Sequence, residues 1–169
     1  NTDFVVGITD QATNNLNMMF NTEIGQQYLS RKKGFEIDFI KRLPEFGFSA
    51  IANILASIKL AKYMKLGKDD AIVTVATDGA DLYLSELNKT KAEFRGVYDE
   101  TACGEIFGQY LKGISTDNTL ELNQKDKERI FNLGYYTWVE QQGISTNDFE
   151  KRRNQNFWNE HYRYMLSLD

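Results

Sequence analysis

The chain has 169 residues, of which 41% are hydrophobic and 26% are charged, and these proportions are typical of a globular protein with one sizeable core. Its net charge of −4 offers no electrostatic basis for binding nucleic acid or an anionic membrane surface. No apolar run approaches the roughly 20 residues that span a bilayer. A single cysteine and a single histidine exclude an internal disulfide and a multi-histidine metal site, so we expect a reducing, cytoplasmic setting.

The first predicted elements are a short buried strand and a helix. Residues 4–8 form a continuous apolar run, and either Thr9 or Asp10 can cap the helix that follows. The apolar residues of that helix recur at helical spacing as far as Leu29, and Gly34 ends it. The chain opens almost directly into this strand without an initiator methionine, which indicates a part of a longer protein.

Residues 35–43 then predict a short amphipathic helix that stops before Pro44, the only proline. The next helix is expected to begin with Ser49 as its N-cap and to end at Gly67 in the left-handed conformation. Its first half is apolar nearly all round, which predicts burial. Three lysines occur later in this helix and are interpreted as a solvated face: Lys59, Lys62 and Lys65.

A run of β-branched residues without polar alternation covers positions 71–76. Such a run is typical of a parallel strand that is covered on both faces. Residues 77–79 (TDG) close it with a turn. Because ligands bind beyond the carboxyl ends of strands in open α/β sheets, this turn is the first candidate site.

The second half of the chain is predicted to be helical. Helices are expected over residues 82–95, 103–111 and 126–142, and a last helix follows a capping segment at Ser145. We interpret the chain as one domain in which residues 1–95 form an α/β part and residues 96–169 a mainly helical extension. The aromatic residues between positions 131 and 164 are expected to form a helical core or an interface.

Five motifs of the central stretch occur in the order found in one enzyme family. They are residues 47–50 (GFSA), 59–62 (KLAK), 72–76 (IVTVA), 77–79 (TDG) and 83–85 (YLS). They resemble the C-terminal part of fold-type II pyridoxal-phosphate enzymes, the cysteine synthase and cystathionine β-synthase family. The family pattern is G-I-S-S-G-A-A, a helix ending in K-L-A-K, a hydrophobic strand, P-D-S-G or P-S-S-G, and E-R-Y-L-S. This chain has one extra residue between the turn glycine and the tyrosine.

Two flanking segments, residues 20–23 (FNTE) and 132–140 (NLGYYTWVE), look like a less characterised bacterial branch of that family. With that branch the resemblance covers most of the chain, whereas with cysteine synthase proper it stops near residue 95. The resemblance implies a Rossmann-like three-layer parallel sheet, of which this chain holds a part. It also implies pyridoxal 5'-phosphate as cofactor, an amino-acid substrate that undergoes β-elimination or β-replacement, and a homo-oligomer.

The resemblance also implies a set of cofactor-binding residues. In the family, the serine before the turn glycine faces the pyridine nitrogen of the cofactor, and the matching residue here is Asp78, beside Thr77. Either Thr77 takes the hydroxyl role, or Asp78 makes a stronger electron sink. Gly79 is the turn glycine. The glycine that approaches the cofactor by its backbone maps to Gly47, and Ser49 caps the helix behind it.

The Schiff-base lysine of the family, the asparagine after it and the glycine-rich phosphate loop all lie upstream of the matched segment. The glycines here are scattered singly, so no phosphate loop is predicted. We therefore assign no catalytic residue and expect this chain alone to be inactive, with the N-terminal part of the same enzyme as its partner. The alternative is a truncated or split non-catalytic module that serves as a structural or partner-binding subunit.

Simpler interpretations apply to several of these residues. Thr77 and Asp78 can form an Asx turn that starts the next helix. Lys59 can be proposed as a Schiff-base lysine, but its step with the other two lysines favours a solvated face. Cys103 is interpreted as a small buried hydrophobe, and His161 as a packing or surface residue.

Overall fold

The structure is a computed structural model that describes residues 2–94 and 96–168. It is mainly helical, with 67% of its residues in helices and one small two-stranded sheet. The strands are β1 (Phe4–Val6) and β2 (Thr119–Glu121), which pair with each other. The helices are α1 (Asp10–Phe20), α2 (Glu23–Lys33), α3 (Ile37–Arg42), α4 (Phe48–Met64), α5 (Leu84–Glu93), α6 (Glu100–Phe107), α7 (Gln124–Tyr135), α8 (Thr146–Lys151) and α9 (Gln155–Leu166).

Shorter helical segments extend or link these helices. They are 3-10 turns at Leu43–Glu45 and Ala80–Tyr83 and π-helical segments at Gly108–Lys112 and Tyr136–Gln141. The helices predicted over residues 35–43, 82–95, 103–111 and 126–142 are present with bounds shifted by a few residues. Arg95, the last residue of one prediction, lies outside the described residues. The predicted last helix is divided into α8 and α9, and Ser145 caps α8 by accepting the amide of Asp148 at 3.1 Å.

The sheet differs from the one expected. Its strands run antiparallel, with the Gly7 amide donating to the Asn118 carbonyl and the Leu122 amide to the Asp3 carbonyl, both at 2.8 Å. The three-layer parallel sheet is not seen in the described residues. A parallel sheet requires several strands in register, and only two strands of three residues are present there.

Residues 71–76 lie outside any strand, so the strand predicted for them is wrong in this structure. Val73 is 95% exposed and Val75 is 65% exposed. Their apolar, β-branched character favours burial in a sheet, but a strand forms only when a neighbouring backbone supplies hydrogen-bond partners. The described part of the chain supplies no backbone partner to this segment, whose Val75 carbonyl accepts only the Asn53 side-chain amide at 3.0 Å, so the segment runs along the surface.

The chain packs as two compact units. The larger comprises residues 6–120, and the smaller comprises residues 1–5 together with 121–169. Residues 96–120 thus belong to the larger unit, which contains α4. The sequence interpretation was a single domain in which the α/β part ended at residue 95 and a helical part began at residue 96. No helix of the described residues is long and apolar enough to cross a membrane.

The core of the larger unit is built around α1, which contacts α2, α4, α5 and α6. Leu16, Met18 and Met19 are at most 1% exposed. Because these residues lie on more than one face of α1, the helix is buried on several sides. Thr9 caps α1 by accepting the amide of Ala12 at 3.3 Å, which confirms one of the two capping residues predicted.

The helix predicted to run on to Gly34 is interrupted after Phe20. Thr22 starts α2 by accepting the amide of Gly25 at 3.3 Å, and Gly34 ends α2 with φ at +71° as predicted. A Cβ atom at position 25 would lie 2.0 Å from the carbonyl oxygen of Met19. Only glycine therefore allows the two helices to turn so closely.

Both ends of α4 differ from the expectation. The carbonyl of Gly47 already accepts the amide of Ile51 at 2.9 Å, so Gly47 is the N-cap and Ser49 is an exposed residue of the first turn. At the other end Lys65, and not Gly67, takes the left-handed conformation with φ at +55°. That conformation costs a non-glycine residue about 1–2 kcal/mol. Two backbone hydrogen bonds from the Lys65 amide to α4 carbonyls accompany it.

Candidate functional site

The predicted turn at residues 77–79 meets the N-terminus of α4. The amide of Gly47 donates to the carbonyl oxygen of Asp78 at 2.7 Å. The Asp78 carboxylate accepts two hydroxyl groups, from Tyr83 at 2.5 Å on Oδ2 and from Thr77 at 3.0 Å on Oδ1. The structure therefore brings together Gly47, Thr77 and Asp78, three of the five residues predicted for the site.

Glycine at position 47 is required by this close approach. A Cβ atom there would lie 2.5 Å from Asp78 Oδ1, 2.9 Å from the Asp78 carbonyl oxygen and 2.9 Å from a ring carbon of Tyr83. The φ of Gly47 is −77°, which any residue can adopt, so the restriction is one of space and not of backbone conformation.

The other two predicted residues have different surroundings. Gly79 continues the turn, and a Cβ atom there would lie 2.8 Å from Asp81 Oδ1 and 3.4 Å from the carbonyl oxygen of Pro44. Ser49 is exposed and has no hydrogen bond to the turn among the described residues. Ser49 is thus not brought to the site, because α4 begins at Phe48 and carries its side chain outward.

Tyr83 is a member of this site that the sequence reasoning did not assign. Its hydrogen bond to Asp78 raises the pKa of the phenol, because the neutral hydroxyl is the donor that the carboxylate requires. The ring of Phe48 packs edge-on against that of Tyr83 at 4.7 Å between centroids. The available signal was the Y-L-S motif, in which Tyr83 is the first residue.

The cofactor implied by the resemblance can be compared with the chemistry of this turn. Asp78 is half-buried, and its carboxylate retains lone pairs after accepting two hydroxyls, so it can also accept a protonated ring nitrogen. The space beside Gly47 is already filled by the Asp78 carboxylate and the ring of Tyr83. Neither Asp78 nor Gly47 lines any of the main cavities of the described residues. The Asp78 carboxylate therefore has the chemistry of a ring-nitrogen partner, but it adjoins none of these cavities, and none of the described residues forms a glycine-rich cradle for a phosphate.

A second constellation surrounds Lys59, which is only 5% exposed. Its Nζ lies 3.0 Å from Asp117 Oδ1 and 3.4 Å from the carbonyl oxygen of Gly7. The interpretation of Lys59 as part of a solvated face is therefore wrong. Lys59 continues the buried row of Ile51 and Leu55 at steps of four residues, and this spacing was the signal that could have placed it inside.

Lys59 and Asp117 line a cavity of about 340 Å³. The Ser115 hydroxyl also donates a hydrogen bond to Asp117. This hydrogen bond is the main reason why the pKa of the Asp117 carboxyl lies below its usual value, and the Lys59 ammonium is the second. Lys62 Nζ contacts the same loop by donating to the Ile114 carbonyl oxygen at 2.6 Å. Two lysines of α4 thus anchor the loop that carries Asp117.

Two other candidates have the simple roles predicted for them. Cys103 is fully buried, and burial raises the pKa of its thiol, so it packs as a small hydrophobe. His161 is exposed on α9, with Nδ1 2.8 Å from the carbonyl oxygen of Phe157. It is a surface residue that packs on its own helix.

Comparison of the chain with protein-family models, with curated proteins and with solved structures gave no match. The turn at residues 77–79 and the cavity at Lys59 are therefore interpreted from their own geometry.

Proposed function

We propose that this chain is the C-terminal part of a cytoplasmic pyridoxal-phosphate-dependent enzyme of fold type II, similar to cysteine synthase. The whole enzyme would catalyse β-elimination or β-replacement on an amino acid and work as a homo-oligomer. Its N-terminal part would supply the Schiff-base lysine and the phosphate loop. Residues 71–76 would then become a strand of the Rossmann-like sheet, with neighbours that the described residues lack.

The observation that carries this proposal is the 2.7 Å hydrogen bond between the Gly47 amide and the Asp78 carbonyl. The resemblance assigns both of these residues to the same cofactor ring, although they lie in separate motifs. An Asx turn would instead have the Asp78 side chain accept a backbone amide two residues on. Its hydrogen-bond donors among the described residues are the hydroxyls of Thr77 and Tyr83.

In this proposal each residue has a defined task. Asp78 would accept a hydrogen bond from the protonated ring nitrogen and favour that protonation state, while Thr77 and Tyr83 hold the carboxylate in orientation. The absence of a side chain at Gly47 gives the Asp78 carboxylate and the Tyr83 ring room to lie there, and Gly79 closes the turn. When bound, pyridoxal phosphate supplies the electron sink for carbanion chemistry.

The test begins with the reading frame upstream of this chain. We expect it to encode a lysine followed by an asparagine and a glycine-rich loop, and the protein expressed from the whole frame to show the visible absorption of bound cofactor. Asp78→Ala in that protein should lower turnover by about tenfold to a hundredfold, because a charge-assisted hydrogen bond contributes roughly 1.5–3 kcal/mol. Asp81→Ala removes an exposed carboxylate nearby and should leave turnover unchanged.

Two outcomes would contradict the assignment. If the whole frame lacks these motifs and its product binds no cofactor, the chain is the non-catalytic module considered above. If Thr77→Val lowers turnover more than Asp78→Ala, the hydroxyl carries the role of the ring-nitrogen partner.

The isolated chain should bind the cofactor only weakly and should yield no borohydride-stable lysine adduct.

A further inference from the structure

We propose that the cavity beside Lys59 is a binding site for a free α-amino acid with an apolar side chain. Lys59 and Asp117 are the only charged residues among those described that line this cavity. Their charges are opposite and lie 3.0 Å apart. The wall is thus electrically balanced, and it suits a zwitterion better than an anion or a cation alone.

Both charged groups retain hydrogen-bonding capacity. The Lys59 ammonium has three N–H donors, and its partners in the described part of the chain are Asp117 Oδ1 and the Gly7 carbonyl. Asp117 Oδ2 accepts the Asn118 side-chain amide at 3.2 Å and has a second lone pair. A ligand carboxylate can therefore bind the third N–H of Lys59 while the ligand ammonium binds Asp117, and the existing ion pair stays intact.

The N-terminus of α1 adds to this preference. Gln11 and Ala12, in the first turn of α1, line the same cavity. The positive end of the helix dipole favours a carboxylate, an effect partly offset by Asp10 in the same turn, and the buried ammonium of Lys59 lines the same cavity. The carboxylate end of the ligand is thus expected between α1 and α4, with its ammonium toward the loop that carries Asp117.

The remaining walls select the side chain. Ile8, Leu55 and Ile114 give the cavity an apolar side, and its volume of about 340 Å³ falls at the lower end of small-molecule sites. A branched aliphatic amino acid such as leucine combines the required charges with a compact apolar group. This inference does not depend on the cofactor proposal, because neither Asp78 nor Gly47 lines the cavity.

The test is isothermal titration of the whole chain with L-leucine at neutral pH. Two analogues separate the charges: 4-methylpentanoate lacks the amino group, and 3-methylbutylamine lacks the carboxylate. We expect leucine to bind and each analogue to bind at least about tenfold more weakly. Lys59→Met and Asp117→Asn should each weaken leucine binding by a similar factor, whereas Lys68→Met, which removes an exposed positive charge, should not change it.

Three results would overturn the proposal: no heat of leucine binding up to about 10 mM, an analogue that binds as tightly as leucine, or unchanged affinity in Lys59→Met. Equal binding of 4-methylpentanoate would identify a simple anion site instead. Thermal melts of the variants accompany the titration, so that a loss of binding is counted only for variants that melt cooperatively as the unmodified chain does. The analogues are tested on the unmodified chain and decide the question even if Asp117→Asn does not fold.

Discussion

At the scale of single residues, the Lys59–Asp117 pair is unusual because only one partner is buried. The Lys59 side chain is 6% exposed, whereas that of Asp117 is 63% exposed. The consequence of removing one partner therefore depends on whether the residue that remains is exposed or buried. Without Lys59 the remaining carboxylate is in contact with water, but without Asp117 a buried ammonium loses its counterion.

We therefore expect Asp117→Ala to lower the free energy of unfolding more than Lys59→Met does, and Lys59→Met to change it by less than about 1 kcal/mol. Urea denaturation followed by circular dichroism measures both. Asp69→Ala, at an exposed aspartate after α4, serves as the control and should be close to neutral. If Lys59→Met lowers the free energy of unfolding more than Asp117→Ala does, Lys59 stabilises the fold through contacts other than its ion pair.

At the scale of elements, residues 71–76 form an exposed, largely apolar segment without a strand partner in the described residues. Segments of this composition pair with one another when their edges are exposed. We expect the isolated chain to associate at high concentration and Val73→Lys to suppress the association. Because Val73 is 95% exposed, the substitution should alter monomer stability by less than about 0.5 kcal/mol.

Sedimentation at several concentrations measures this association. The matched control is Val97→Lys, at a valine that is 68% exposed outside the segment, and it should associate like the unmodified chain. A chain that sediments as a monomer at every concentration would contradict the prediction and favour a self-sufficient module.

At the scale of the whole molecule, the two compact units differ in their buried cores. Among the described residues, Leu122 and Phe149 are the buried hydrophobic residues of the smaller unit, and all others belong to the larger one. Neither α7 nor α9 contains a buried residue. In the smaller unit the Arg152 guanidinium packs against the buried Phe149 ring, 4.2 Å from its centre.

Local stability follows buried apolar contacts, so the smaller unit should open at lower free energy. Hydrogen exchange measured by mass spectrometry should show the amides of α7 and α9 exchanging well before those of α1. The comparison needs no variant, because α1 and α7 are of similar length and lie in the same chain. Equal protection of α1 and α7 would show that the units unfold together.

The sequence by itself determined the local features of this protein. The caps of α1 and α8 and the left-handed glycine after α2 depend on hydrogen bonds between residues a few positions apart, so the side chains that make them can be recognised in the sequence. The turn at residues 77–79 was also recognisable as a candidate site from its motif. The resemblance assigned Gly47 and Asp78 to the same cofactor, whereas their direct hydrogen bond is a finding of the structure.

Tertiary structure alone decided the sheet and the burial of Lys59. Residues 71–76 have the composition of a buried strand, but strand formation depends on backbone partners from elsewhere, which composition does not specify. Lys59 belongs by residue type to a solvated surface, yet Asp117, far along the chain, provides the counterion that stabilises its charge inside. Hydrogen bonds within one helical turn are specified by nearby residues, whereas strand pairing and buried ion pairs depend on segments that meet only when the chain has folded.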